Sequence, residues 1–124
     1  MVHADHSCGI SDGDAIVYGG EAGGFVVTLE NGFRFYHAGD TNVFGDMALI
    51  GQIYKPDLAL LPIGGLYTMG PLEASHAVRL LGVKRVIPMH FGTFPPLSGK
   101  PEELRELCGS RVEILDLRPG DTAE

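Results

Sequence analysis

The sequence predicts a protein of the α/β (α+β) class, with helices packed on a sheet, and three observations carry that prediction. An Asn31-Gly32 turn joins an alternating strand pattern to a returning one, and Asn-Gly readily takes the positive φ of tight hairpins. Two near-continuous apolar runs, DLALLPI and VKRVIPMH, have the character of strands buried on both faces. Pro71 and Pro101 open segments with helical spacing that alternate with those runs.

Taken in order, residues 14–19 (DAIVYG) and 24–30 (GFVVTLE) read as strands, the second alternating Phe25, Val27 and Leu29 against Val26, Thr28 and Glu30. The return strand FRFYH puts Phe33, Phe35 and His37 on one face, with Arg34 and Tyr36 on the other. Thr41 or Asn42 is placed to cap a helix over about 43–54, with Met47, Ile50 and Tyr54 on its apolar stripe. The strand DLALLPI follows Pro56. A second helix runs from Pro71 to about Leu81, with Ala74, Ala77, Val78 and Leu81 facing inward. VKRVIPMH then forms a strand ending at His90, Pro101 starts a short helix carrying Leu104 and Leu107, and VEILDL closes the chain's regular structure as a last strand. No repeat or linker interrupts the pattern, so residues 1–124 read as a single domain.

Composition narrows the function. Hydrophobic content of 44% and charged content of 20% are those of a globular protein. The formal charge of −7 opposes recognition of nucleic acid through a general positive field. No apolar run approaches the roughly 18–20 residues that span a bilayer, and no signal-peptide pattern opens the sequence. Cys8 and Cys108 form no close-spaced pair and read as reduced structural thiols of a cytoplasmic protein. There is no G-x-S-x-G elbow and no G-x-x-x-x-G-K-[ST] phosphate loop, and Ser7 has no recognisable triad.

Three strand ends share a pattern. His6 precedes Ser-Cys-Gly, Asp40 follows FRFYHAG, and His90 precedes Phe-Gly-Thr, so each is a metal-competent side chain beside a glycine-containing loop. Imidazole nitrogen and carboxylate oxygen together suit zinc, manganese or iron, whereas calcium asks for oxygens alone. Singly, each also fits a hydrogen-bonded structural group, and the loop setting favours a site. His3 and Asp5 are weaker candidates, and His76 falls off the inward stripe of its helix, which fits a surface residue. His37, on the face of two phenylalanines, reads as a supporting residue that orients Asp40.

The ordered blocks HADHS, FYHAGDTNVFGDMALIG, LPIGGLYTMGP and IPMHFGTFP resemble the metallo-β-lactamase superfamily, and more narrowly its metal-dependent hydrolases related to the ascorbate-phosphate lactonases. The resemblance runs from about His3 to Pro96. It implies an αββα sandwich with a two-metal site at one edge, and metal-activated water attacking a small ester, lactone or phosphoester. By position, His6 resembles a histidine ligand of the first metal, Asp40 the aspartate bridging both metals, and His90 a histidine ligand of the second. Thr41, Thr68, Met69 and Thr93 fall in loops that would support or line the substrate pocket. The superfamily's early His-x-His-x-Asp-His run is not present; HADHS echoes it, but its place just before the HAGDT half fits the later histidine. The resemblance therefore implies the C-terminal half of a longer hydrolase: a partial sandwich, a mixed sheet with helices on one face. The implied cofactor is a divalent metal, with zinc the first expectation and manganese or iron next. Half a sandwich leaves an apolar sheet face in water, so the expected partners are a second copy of the chain (a homo-oligomer) or a complementary N-terminal chain, besides a small-molecule substrate. The alternative is a truncated, non-catalytic metal-binding or interaction module. A nuclease, a weaker third reading, sits badly with the −7 charge.

Overall fold

In a computed structural model, described for residues 1–123, a mixed sheet carries three helices on one side. Its strands are β1 (Val2–His3), β4 (Gly23–Thr28), β5 (Arg34–His37), β6 (Leu58–Pro62), β7 (Arg85–Met89) and β8 (Glu113–Ile114), in that spatial order. A separate hairpin pairs β2 (Gly9–Asp12) with β3 (Ala15–Tyr18). The β4–β5 hairpin is antiparallel and turns at Asn31 and Gly32 as the sequence predicts, whereas β5, β6, β7 and β8 run parallel. The carboxyl ends of β5, β6 and β7 therefore open onto the same sheet edge, where sites form in sheets of this kind.

Register decides which residues are covered. Tyr36 lies beside Ala59, and Ala59 beside Val86. This row packs with Leu61 and Ile114 against Met47 and Ile50 of α1 (Met47–Tyr54), against Ala74, Ala77, Val78 and Leu81 of α2 (Pro71–Leu81), and against Leu104 of α3 (Pro101–Cys108). The alternate positions form the opposite face. Phe25 pairs with His37 and Val27 with Phe35, and Leu58, Leu60 and Ile87 continue the surface. Phe25 and Val27 are 52% and 37% exposed, and the others are half-buried. One apolar face thus has helices and the other has none, as expected of half an αββα sandwich.

α2 matches its sequence prediction in both bounds and stripe. Glu73 Oε2 accepts the Gly70 N–H at its start, and Gly82 closes it with φ +69. Three expectations need correction. α1 begins at Met47 rather than near Val43, because Thr41 and Asn42 are engaged elsewhere: Asn42 forms a β-bridge with Asp5 and the Thr41 hydroxyl bonds Asp5 and Asn42. Tyr54, assigned to the apolar stripe, is 40% exposed, since it is the last residue of its helix. The last strand is confined to Glu113–Ile114, the two residues paired with β7. Sequence reasoning also missed β1 and β2, which are short or wholly exposed and so carry no burial pattern. No helix among the described residues is long and apolar enough to cross a membrane.

Candidate metal centre

The site grows from the end of β5. His37 closes the strand, and Ala38 N–H still donates to Leu60 O (3.1 Å). The chain then turns at Gly39, whose φ of +68 and proximity to Gly23 O (2.9 Å from where a Cβ would sit) both call for glycine. Gly39 N–H donates to His37 Nδ1 at 3.1 Å. His37 thereby braces the backbone turn that leads to Asp40. Past the turn, Asp40 points its carboxylate at the end of β7, where Oδ2 lies 3.7 Å from His90 Nε2. Both groups are accessible, with side-chain exposures of 53% for Asp40 and 32% for His90.

His90 is itself held in an uncommon conformation, with φ +56. Tight packing beneath it fixes this: a Cβ on Gly64 would fall 2.2 Å from His90 O and 3.1 Å from Leu97 Cβ. Ile63 N–H also donates to Met89 O (3.0 Å), so the loops after β6 and β7 leave the sheet together. A left-handed non-glycine residue at a strand end is the kind of strain that surrounding structure must enforce.

Thr41 ties the remaining loops to this pair. Its buried hydroxyl accepts the Asp5 N–H (2.8 Å) and donates to Asn42 O (2.8 Å), while Asn42 N–H donates to Asp5 O (2.9 Å). Thr41 O accepts from Met69 N–H at 3.1 Å. The segment carrying His6 and the loop after β6 are thereby anchored on the residue next to Asp40. His6 is half-buried, with Nδ1 2.8 Å from Ser7 O, which leaves Nε2 available.

Of the three expected ligands, the structure brings together Asp40 and His90. Among the described residues no group of three or more His, Cys, Asp or Glu side chains stands close enough to hold a metal ion, so His6 is not gathered with the pair. His3 stacks edge-on against Phe44, with ring centroids 5.1 Å apart, and His76 is exposed as expected. Thr68 spends its hydroxyl on Gly65 O (3.4 Å). Met69, expected at the pocket, is fully buried in the core, where it supports the loop from beneath instead of lining a cavity. Thr93 is exposed and shares with His90 a shallow cavity reaching Asp116. Both cysteines are free, and burial pushes the Cys108 thiol up.

Sequence reasoning missed the residues around a second, apolar cavity of about 490 Å³ at His90, formed by Leu66 and Tyr67 of the loop after β6 and by Phe94 to Leu97 of the loop after β7. One signal was available: large apolar side chains in glycine- and proline-rich loops, where polar residues are usual.

The donor chemistry fits a divalent transition metal in part. A carboxylate oxygen and an imidazole nitrogen that face each other across 3.7 Å can share one ion after small side-chain rotations, and the mixed O/N set suits zinc. Two converging donors do not complete a site.

Comparisons with known proteins identify the family and the fold. A family model described as a beta-lactamase superfamily domain matches residues 1–91. A metal-dependent hydrolase of Solibacter usitatus is 60% identical over 121 residues, covering 97% of this chain and 53% of the relative. A metal-dependent hydrolase of Thermococcus onnurineus is 50% identical over 125 residues, covering all of this chain and 54% of the relative. The structure of a novel metallo hydrolase from the archaeon Ignicoccus hospitalis superposes with a TM-score of 0.81 at 38% identity, covering 97% of this chain and 49% of that one. The chain spans about half the length of the curated relatives it matches. With its family model spanning most of its residues, the chain belongs to the beta-lactamase superfamily.

Proposed function

We propose that the chain supplies one half of the active site of a metal-dependent hydrolase acting on a small ester, lactone or phosphoester. The observation that supports this most directly is the opposition of Asp40 Oδ2 and His90 Nε2 at 3.7 Å, on loops at the carboxyl ends of parallel strands. Asp40, His90 and His6 would hold the metal, with zinc the best match to their donors and manganese or iron the next. When bound, such an ion supplies Lewis-acid polarisation of the substrate and lowers the pKa of water. The chain's own residues hold the geometry. Asp40 is fixed by the Gly39 turn and by His37, His90 by the Gly64 packing, and Thr41 keeps the His6 segment in register.

The remaining ligands would come from a complementary N-terminal segment or chain, packed on the uncovered face of Phe25, Val27, Phe35, Leu58, Leu60 and Ile87. Burying that face offers about 2 kcal/mol for each large side chain fully covered. Calorimetric zinc titration of the chain, and of Asp40→Ala and His90→Ala, tests the assignment. Each substitution should weaken binding at least tenfold. A hydrolysis panel run on the chain mixed with an N-terminal half of a relative should show turnover that Asp40→Ala removes. Unchanged zinc affinity and unchanged turnover in Asp40→Ala refute the reading. A second reading, a non-catalytic metal-binding or interaction module, draws on the lack of a three-donor group among the described residues; zinc binding without turnover in the mixture would favour it.

A further inference from the structure

The apolar cavity beside His90 bears on what the site accepts. Leu66, Tyr67, Phe94, Pro95, Pro96 and Leu97 form its wall together with His90. Among the described residues no Lys, Arg, Asp or Glu contributes to it. Leu66, Tyr67 and Phe94 are 63%, 75% and 65% exposed, an unusual outlay of apolar surface in two loops next to a polar donor pair.

The cavity is built rather than incidental. Leu66 has φ +64 directly after Gly65 at φ +83, a backbone conformation disfavoured for a residue with a side chain. It is held by Gly65 N–H to Met69 O (2.9 Å) and by Thr68 N–H to Gly65 O (3.3 Å). The opposite wall is closed by Gly92 N–H to Leu97 O (3.0 Å) and Leu97 N–H to Phe94 O (2.9 Å), and stiffened by two consecutive prolines. Gly64 lets the two loops touch, since a Cβ there would meet both His90 O and Leu97. At about 490 Å³ the space exceeds the roughly 150 Å³ that suffices for a benzene ring.

We propose that this cavity is the substrate subsite for the group next to the scissile bond, and that it selects an uncharged aryl or branched-alkyl group while rejecting a carboxylate or phosphate there. The proposal rests on the metal-site reading above, because it is the shared His90 that places the cavity next to the reacting centre. A substrate whose electrophilic atom sits at Asp40 and His90 has this wall as its neighbour. An anionic substituent would lose its hydration against an apolar wall that offers no Lys or Arg to pair with it, in a chain already carrying a formal charge of −7.

Methyl NMR on the chain, with phenylacetamide as a neutral aryl probe and succinamate as an anionic one, tests this without turnover. Phenylacetamide should shift the Leu66 and Leu97 methyls saturably, and succinamate should bind at least tenfold more weakly. The double variant L66S/F94S, at two exposed positions, should weaken phenylacetamide at least tenfold. Equal binding of the two probes, or unchanged phenylacetamide binding in the double variant, overturns the proposal. So does loss of phenylacetamide binding when an N-terminal half of a relative is added, because the cavity would then be part of the interface between halves. Zinc titration of the same samples separates the two readings. Absent aryl selectivity with zinc binding intact refutes the subsite alone, and intact selectivity without zinc binding refutes the metal site alone.

Discussion

Tyr36 offers a sharp test of how the core is assembled. It is fully buried, and its hydroxyl has no hydrogen-bond partner. Burial pushes the phenol from its ordinary value of 10.0 up to about 12. Replacing Tyr36 with Phe keeps the ring that packs beside Ala59 and removes only the orphaned oxygen. A buried polar group without a partner costs about 1–3 kcal/mol, so Tyr36→Phe should stabilise the fold by about 1 kcal/mol or more at pH 7.5. The pH dependence gives a second, independent reading. The unfolded phenol ionises near 10 and the folded one near 12, so the folded state retains the proton longer. The stability this confers is complete below pH 10 and is lost as pH rises through the interval to about 12. By pH 11.5 the loss attributable to Tyr36 should reach about 2 kcal/mol. Urea denaturation of both proteins at pH 7.5, 9, 10.5 and 11.5 isolates the effect, because every other titrating group is common to the pair. The advantage of Tyr36→Phe should be constant to about pH 9 and then widen. Destabilisation by more than about 0.5 kcal/mol at pH 7.5, or a difference that does not change with pH, would refute the orphaned-hydroxyl account.

Two further outcomes follow from the loops and the bare sheet face. Thr41→Val keeps volume but leaves the Asp5 N–H without its 2.8 Å acceptor, so stability should fall by about 1–3 kcal/mol, with faster amide exchange at Asp5 than in the parent; unchanged exchange there would contradict the anchoring role. The double variant F25E/V27E places charge on the uncovered apolar face and should shift sedimentation toward the monomer; a parent chain that is already a well-folded monomer at micromolar concentration would contradict association through that face.

Much of the fold was legible in the sequence because its signals are local. The apolar spacing of Ala74, Ala77, Val78 and Leu81 and the flanking Pro71 and Gly82 defined α2, and the Asn-Gly turn defined the β4–β5 hairpin. Asp40 and His90 were legible one at a time, as metal-competent residue types at strand ends; the structure brings them within 3.7 Å because β5 and β7 are both parallel neighbours of β6. The start of α1 was not legible. Thr41 and Asn42 are good capping residues by type, yet Asp5, some 36 residues earlier, claims Thr41's hydroxyl and Asn42's backbone.

The sequence by itself determined, to within a few residues, the three helices and the strands β3 to β7, because side-chain period and backbone preference are set by near neighbours; the short or exposed β1 and β2 carry no such period. It also determined which residue types are fit to hold a metal. Only the tertiary structure decided which sheet face the helices cover, that Met69 lies beneath its loop while Leu66 stands above it, and that two loops about 30 residues apart form one apolar wall at His90. Those outcomes depend on contacts between distant segments, such as the Gly64–His90 approach, whose geometry no local pattern encodes.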